Sequence, residues 1–264
     1  MAADREVLRR TFNEDAERYD RARPHYPAEL VADLASLAGI GPGRRVLEVA
    51  PGTGQLTVPL AALGCAVTAV ELGPALAAVA RRNLAAYPRA EVVVCAFEDW
   101  PLPPEPFDAV VCATALHWFD PAAWVAKVCA ALRPGGTVAT VATHHVAGGT
   151  PGFFEDSQRC YGRWEPGTTP GFRMPTAAEV PQDSRDLDES GLLGPVTFRR
   201  YGRDLPYTTA AFLDTLRTYS NVLAMPTGAR EGLLGCLGHL IDTGYQGRIV
   251  KRYLFELRAA HRRD

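Results

Sequence analysis

Arg45-Val46-Leu47-Glu48-Val49-Ala50-Pro51-Gly52-Thr53-Gly54-Gln55-Leu56 is the stretch from which the rest of the chain can be read. Val46 to Ala50 is a short apolar run with Glu48 at its centre. A Pro-Gly-Thr-Gly turn follows, and then Leu56, Val58, Leu60, Ala61 and Leu63 recur at helical spacing. Strand, tight glycine turn and helix together make a unit that cradles nucleotides. The glycines let backbone approach a ligand closely, and the first amides of the helix offer it partial positive charge. The third glycine of a dinucleotide fingerprint is missing, because Leu56 and Thr57 stand in its place. A carboxylate inside a buried strand costs free energy unless it has a partner. Glu48 therefore reads as a hydrogen-bond acceptor or as the partner of a cationic ligand, with a capping contact to the loop as the plainer alternative.

A second strand runs from Cys65 to Val70 and ends at Glu71, before Gly73-Pro74. An acid placed roughly 20 residues after the glycine turn can accept both hydroxyls of a ribose. A helix over 75–86 and a third strand, Glu91 to Cys95, lead to Ala96-Phe97-Glu98 and a proline-rich turn. The fourth strand, Phe107 to Ala113, ends at Thr114, with His117-Trp118 just beyond. A helix over 121–132 and a turn at Arg133 to Gly136 lead into strand five, Thr137 to Ala142, which His144 and His145 follow. This alternation from 45 to 142 predicts a parallel sheet with right-handed crossovers, whose ligands bind beyond the strands' C-terminal ends. The chemically distinctive residues all fall at those ends.

On the N-terminal side, 4–21 reads as a helix and Arg21 to Pro27 as an extended segment, since Pro24 and Pro27 forbid helix there. Its arginines and aromatics suit a ligand lid, and equally a strap packed on the sheet. Residues 28–38 form an amphipathic helix closed by Gly39. From 146 to 195 glycine, proline and aromatics replace regular patterning, which predicts an inserted cap with helical pieces near 150–163 and 176–180. A sixth strand (Val196 to Leu205), helices over 209–220 and 227–243, and a final antiparallel strand over 248–257 complete the chain. The expected division is 1–41 as N-terminal helices and lid, 42–145 with 196–264 as the main domain, and 146–195 as the cap.

At 264 residues, with 47% apolar and 22% charged residues, the composition is that of a globular α/β protein. A formal net charge of -2 without a dense basic run gives nucleic-acid binding little electrostatic support. No apolar run reaches the roughly 18 residues of a membrane span, and the charged N-terminus lacks the apolar core of a secretory signal. The six cysteines show no Cys-x-x-Cys pair and no zinc spacing. They read as reduced thiols of a cytoplasmic protein, a monomer or homodimer.

Taken in order, Tyr19-Asp20, Arg23-Pro24-x-Tyr26-Pro27, Val46-Leu47-Glu48-Val49, Gly52-Thr53-Gly54-Gln55, Val70-Glu71, Phe97-Glu98, Ala115-x-His117-Trp118 and Leu132-Arg133-Pro134-Gly135-Gly136 resemble the class I S-adenosylmethionine-dependent methyltransferases, of the type 11, small-molecule kind. The resemblance covers residues 12 to 145. It implies a Rossmann-like, seven-stranded mixed sheet with helices on both faces and the last strand antiparallel. It implies S-adenosylmethionine as cofactor, bound along Tyr19, Tyr26, Glu48, Ala50, Gly52, Gly54, Gln55, Glu71, Leu72, Ala96, Phe97, Glu98, Thr114, His117 and Trp118. Two residues depart from the family pattern: Ala50-Pro51 replaces Gly-Cys ahead of Gly52, and Ala96 stands where an acid often meets the adenine.

Methyl transfer is an in-line displacement, which chiefly requires alignment and exclusion of water. A base is needed only when the nucleophile arrives protonated, and His117, His144 and His145 are the candidates. His117 resembles a pocket residue of the family. Adjacent strand residues point opposite ways, so at most one of His144 and His145 should face a pocket. A two-histidine metal site would need Glu155 or Asp156 as a third ligand, and no metal is expected. The aromatic cap suggests an apolar or aromatic acceptor, whose carboxylate or phosphate Arg23, Arg163 or Arg173 could hold. The expected activity is methylation of a small molecule in specialised metabolism, oxygen ahead of nitrogen or carbon. The alternatives are a cyclase or binding protein that keeps S-adenosylmethionine without transferring its methyl, and a nicotinamide oxidoreductase, against which Glu48 and the missing glycine count.

Overall fold

The structure, a computed structural model, describes residues 8–9, 11–165, 168–169 and 171–264. Its sheet has seven strands in the order β3-β2-β1-β4-β5-β7-β6. These are β1 (Arg45–Val49), β2 (Ala66–Glu71), β3 (Ala90–Val94), β4 (Phe107–Ala113), β5 (Leu132–Gly149), β6 (Thr197–Thr208) and β7 (Arg248–His261). Pairing of β1 with β2 and β4, of β2 with β3 and of β4 with β5 is parallel. The β7 strand runs the other way: the Arg262 amide donates to the Gly136 carbonyl, while at the far end the Thr150 amide donates to the Val250 carbonyl. The sheet is thus mixed, with the last strand antiparallel.

Local chemistry sets the helix boundaries. The Asp15 side chain accepts the Arg18 amide at the start of α1 (Ala16–Ala22), as an N-cap should. In α2 (Ala28–Ala38) Leu30, Leu34 and Ala38 are buried on one stripe, and Gly39 ends the helix at φ +61°, a conformation glycine adopts without strain. The glycine turn opens α3 (Thr57–Ala62), and Pro74 begins α4 (Pro74–Asn83). Asp120 caps α5 (Pro121–Ala131), which begins with a proline whose missing N–H is no loss at that position. After β5 come α6 (Phe153–Trp164), the single turn α7 (Arg185–Asp188), α8 (Thr209–Leu216), α9 (Ser220–Leu223) and α10 (Thr227–Gly244).

By packing, the chain forms two compact units. The larger comprises Pro24–Thr143, Gln182–Tyr201 and Phe255–Asp264; the smaller comprises residues up to Arg23, His144–Pro181 and Gly202–Leu254. The larger unit's core gathers Leu47, Val49, Val110, Phe107, Trp124 and Leu132 around the parallel strands. The smaller unit's core gathers Phe153, Phe212, Leu233, Leu237 and Ile241 from α6, α8 and α10.

Several expectations need correction. Strand five does not stop at Ala142: β5 has 18 residues, so His144 and His145 lie within it. It starts earlier too, because Leu132 pairs with Phe107 and Thr137 with Ala109, and Arg133 to Gly136 bulge out between. Gly149 follows from the strand's length, since a Cβ there would stand 2.1 Å from the Val250 carbonyl oxygen. Residues 177–179 form a turn where a helical piece was expected, and the helix expected over 209–220 breaks into α8 and α9. Of the helix expected over 4–21, residues 4–7 and 10 lie outside the described residues; 8, 9 and 11 are helical, a turn over 12–15 interrupts the run, and α1 begins at Ala16. Finally, Cys160 and Cys236 are not free thiols; they form a disulfide 76 residues apart in sequence. Close packing of α6 on α10 brings them together, and Gly232 leaves room for the Trp164 ring at the same contact. Cys65, Cys95, Cys112 and Cys129 are free.

Candidate active site

In the larger unit the C-terminal ends of β1, β2 and β4 bring their special residues to one edge. The chain leaves β1 through Ala50 at φ +55° and turns on Gly52 at +63° and Gly54 at +95°. Alanine in that left-handed region is strained by roughly 1–2 kcal/mol, and strain of this kind gathers at functional sites. The turn is pinned from several sides. The Asn83 side chain donates to the Thr53 carbonyl at 2.9 Å, and the Gln55 side-chain Nε2 donates to the Thr53 hydroxyl at 2.6 Å.

Glu71 closes the turn from β2. One carboxylate oxygen accepts the Gly52 amide at 3.0 Å and the other the Gly73 amide at 2.8 Å. Each oxygen has two acceptor positions, so these two amides do not exhaust the group.

Glu48 is 1% exposed, and its Oε2 has no hydrogen-bond partner. Burial raises its pKa to about 8; the Thr57 hydroxyl offsets part of that rise, and the Glu71 charge adds to it. A buried carboxyl with an unmet acceptor beside a second carboxylate is suited to a cationic ligand. The residues present therefore fit a cofactor that carries positive charge beside a ribose.

Thr114, at the end of β4, is a second left-handed residue, at φ +57°. Its hydroxyl is 3.0 Å from the Tyr26 hydroxyl and 3.1 Å from that of Thr143. Tyr26 packs edge-on against Phe255, so the segment after Pro24 is fixed within this unit. On the β3 side Lys127 donates to the Glu98 and Trp100 carbonyls and places its ammonium over the Phe97 ring. Phe97 is 4% exposed and packs against Phe119, whereas Glu98 is open to solvent. Leu72 is half-buried, and Ala96 supplies the carbonyl that turns Asp99 and Trp100. His117 is exposed on a single 3-10 turn, its ring 4.5 Å from that of Trp118.

Tyr19, His144 and His145 belong to the smaller unit. There the Arg23 guanidinium lies over the rings of Phe12, Tyr19 and Tyr219 and donates to the Thr218 carbonyl. His145 lines a cavity of about 520 Å³ bounded by Phe154, Tyr161, Phe172, Met174, Tyr219 and Lys251. Burial lowers its pKa to about 3, helped by the charges of Lys251, Arg23 and His144. His144, next along the strand, is not part of that lining.

The sequence reading passed over Lys251. It occupies the inward phase of β7 shared by Ile249, Tyr253, Phe255 and Leu257, a period-two position where a lysine is out of place. Thr143 and Asn83 were also passed over, and no sequence pattern distinguishes them. Among the described residues no group of His, Cys, Asp and Glu is arranged to hold a metal, and no helix is long and apolar enough to cross a membrane.

Residues 46–136 match a family described as methyltransferase domain. An uncharacterised methyltransferase of Mycobacterium tuberculosis is 37% identical over 141 residues, which cover 53% of this chain and 55% of that protein. A ubiquinone biosynthesis O-methyltransferase of Xanthomonas campestris is 41% identical over 100 residues, covering 37% of this chain and 42% of the other. The chain spans about half the length of the curated relatives it matches. Among solved structures, a type II methyltransferase candidate from Anaeromyxobacter dehalogenans superposes with a TM-score of 0.58 at 25% identity, over 90% of this chain and 97% of that one.

Proposed function

We propose that this chain, which carries a class I S-adenosylmethionine-dependent methyltransferase domain, methylates a small organic acceptor, at oxygen ahead of nitrogen or carbon, in specialised metabolism. The observation that carries the reading is Glu48: a buried carboxyl with an unmet oxygen, set beneath a glycine turn that Glu71 ties down. A nicotinamide cofactor would bring phosphates to that turn, where the Glu71 carboxylate repels them.

S-adenosylmethionine supplies an activated methyl group on a sulfonium. Glu71 opposes the positive charge of the ligand and accepts the ribose hydroxyls, and a cation set beside Glu48 favours the ionised form of that carboxyl. Gly52 and Gly54 let backbone come close without a side chain in the way. The hydroxyls of Tyr26, Thr114 and Thr143 offer a polar row at the end of β4. In the smaller unit His145 is neutral at physiological pH, so it receives a hydrogen bond from an acceptor hydroxyl and orients it rather than holding a proton. The O-methyltransferase among the relatives is consistent with oxygen as the nucleophile.

Incubation of the protein with S-adenosylmethionine and a panel of phenols, amines and carbon acids tests the reading. S-adenosylhomocysteine appearing with methylated product supports it. A rearranged product without S-adenosylhomocysteine would assign the chain to the cyclase alternative instead.

A further inference from the structure

Lys251 is 4% exposed, yet its side chain lines the cavity of the smaller unit. Its ammonium lies 4.5 Å from the centroid of the Phe154 ring and 5.3 Å from that of Tyr253. Among the described residues it has neither a hydrogen bond nor an ion pair. Glu165 is, among the described residues, the one carboxylate in the lining, and no ion pair joins the two. A buried cation held only by ring faces is under-compensated. Burial alone lowers its pKa, to about 7, which is what an ammonium without a counter-charge undergoes.

The rest of the cavity is set up for a flat apolar body. Phe154, Tyr161, Phe172, Met174, Phe212 and Tyr219 supply rings and a thioether, while Gln158 and Asn221 add neutral polar groups. A volume of about 520 Å³ falls in the range of small-molecule sites. Among the described residues Lys251 is the only Lys or Arg in the lining, and His145 beside it is neutral. One cation matches one negative charge, so a phosphate dianion would keep a charge uncompensated in apolar surroundings.

We propose that this cavity binds an aromatic molecule bearing a single negative charge, a carboxylate or phenolate, with Lys251 as its counter-ion. As a statement about the methyl acceptor this rests on the function proposed above; as a binding site it does not. The arrangement gives selectivity for charge through one residue and selectivity for shape through the rings. Binding would complete the compensation that the free protein lacks.

The test compares two fluorescent probes of one frame, 8-anilinonaphthalene-1-sulfonate, which is a monoanion, and neutral N-phenyl-1-naphthylamine. Titrations are made without S-adenosylmethionine, on the wild type and on Lys251→Met and Lys251→Arg. The wild type is expected to favour the anion by about tenfold or more, the scale of a hydrogen bond to a charged group. Lys251→Met should lose that preference and keep its affinity for the neutral probe, while Lys251→Arg retains it. Equal affinity for both probes in the wild type, no binding of either, or an unchanged preference in Lys251→Met would each overturn the proposal. If circular dichroism shows Lys251→Met unfolded, competition on the wild type decides: 2-naphthoate must displace the neutral probe at lower concentration than 2-methoxynaphthalene, and the reverse order would overturn the proposal. Calorimetry of S-adenosylmethionine on the wild type separates the two claims. Absent cofactor binding with an intact preference for the anion would sink the methyl-transfer reading and leave this site standing.

Discussion

The Glu71 carboxylate accepts the backbone N–H of Gly52 at 3.0 Å, across 19 residues of sequence. The acid at the end of β2 thus shapes the glycine turn at the end of β1, in addition to any hydroxyl it accepts from a ligand.

From this, Glu71→Gln should weaken both the turn and cofactor binding. It removes the charge and sets an NH2 donor against one of the two backbone N–H groups that the carboxylate accepts, a loss of about 1–3 kcal/mol in binding. Titration of S-adenosylhomocysteine checks it, and unchanged affinity would remove Glu71 from the site.

Glu48 gives a pH signature. Its folded pKa of about 8 lies above the ordinary 4.5, so between those values the folded protein holds a proton that the unfolded chain has released. Stability from this group is therefore full below pH 4.5 and declines as pH rises toward 8. Thermal unfolding of Glu48→Gln should lack that decline, leaving the variant more stable than wild type at pH 8. Parallel pH profiles would contradict the assignment of a buried, uncompensated carboxyl.

His145 behaves in the opposite sense. Its folded pKa of about 3 lies below the usual 6.5, so its contribution is present above pH 6.5 and lost as pH falls toward 3. His145→Leu should unfold at lower pH than wild type in an acid titration followed by circular dichroism. An unchanged or higher acid midpoint would mean that burial of the imidazole is not a source of acid lability.

The two strand histidines should also separate in turnover. His145 lines the cavity and His144 does not. His145→Ala is expected to lower the rate by about a hundredfold, the scale of a misplaced reactant, with His144→Ala close to wild type. Equal effects would place the acceptor elsewhere.

Much of the fold was legible because it is local. The run from Val46 to Leu63 carries both periods, the glycines mark the turn, and β2 and β4 are nearly continuous apolar strands. What escaped is tertiary. Extension of β5 to Gly149 depends on pairing with β7, and the Cys160–Cys236 bond depends on how α6 meets α10. Arginines were weighed as anion holders, but Arg23 is engaged by three rings and Arg173 pairs with Glu179 at the surface. The buried cation is Lys251, which strand alternation could have flagged and composition could not. Backbone strain at Ala50 and Thr114 has no sequence signal beyond the absence of glycine.

The central claim is that the edge formed by Glu48, Gly52, Gly54 and Glu71 binds a sulfonium nucleoside. Calorimetric titration of S-adenosylmethionine, S-adenosylhomocysteine and NAD in turn tests it most directly. Micromolar binding of the two sulfur compounds, with none for NAD, is the expected result. Binding of NAD alone, or of none of the three, would contradict it.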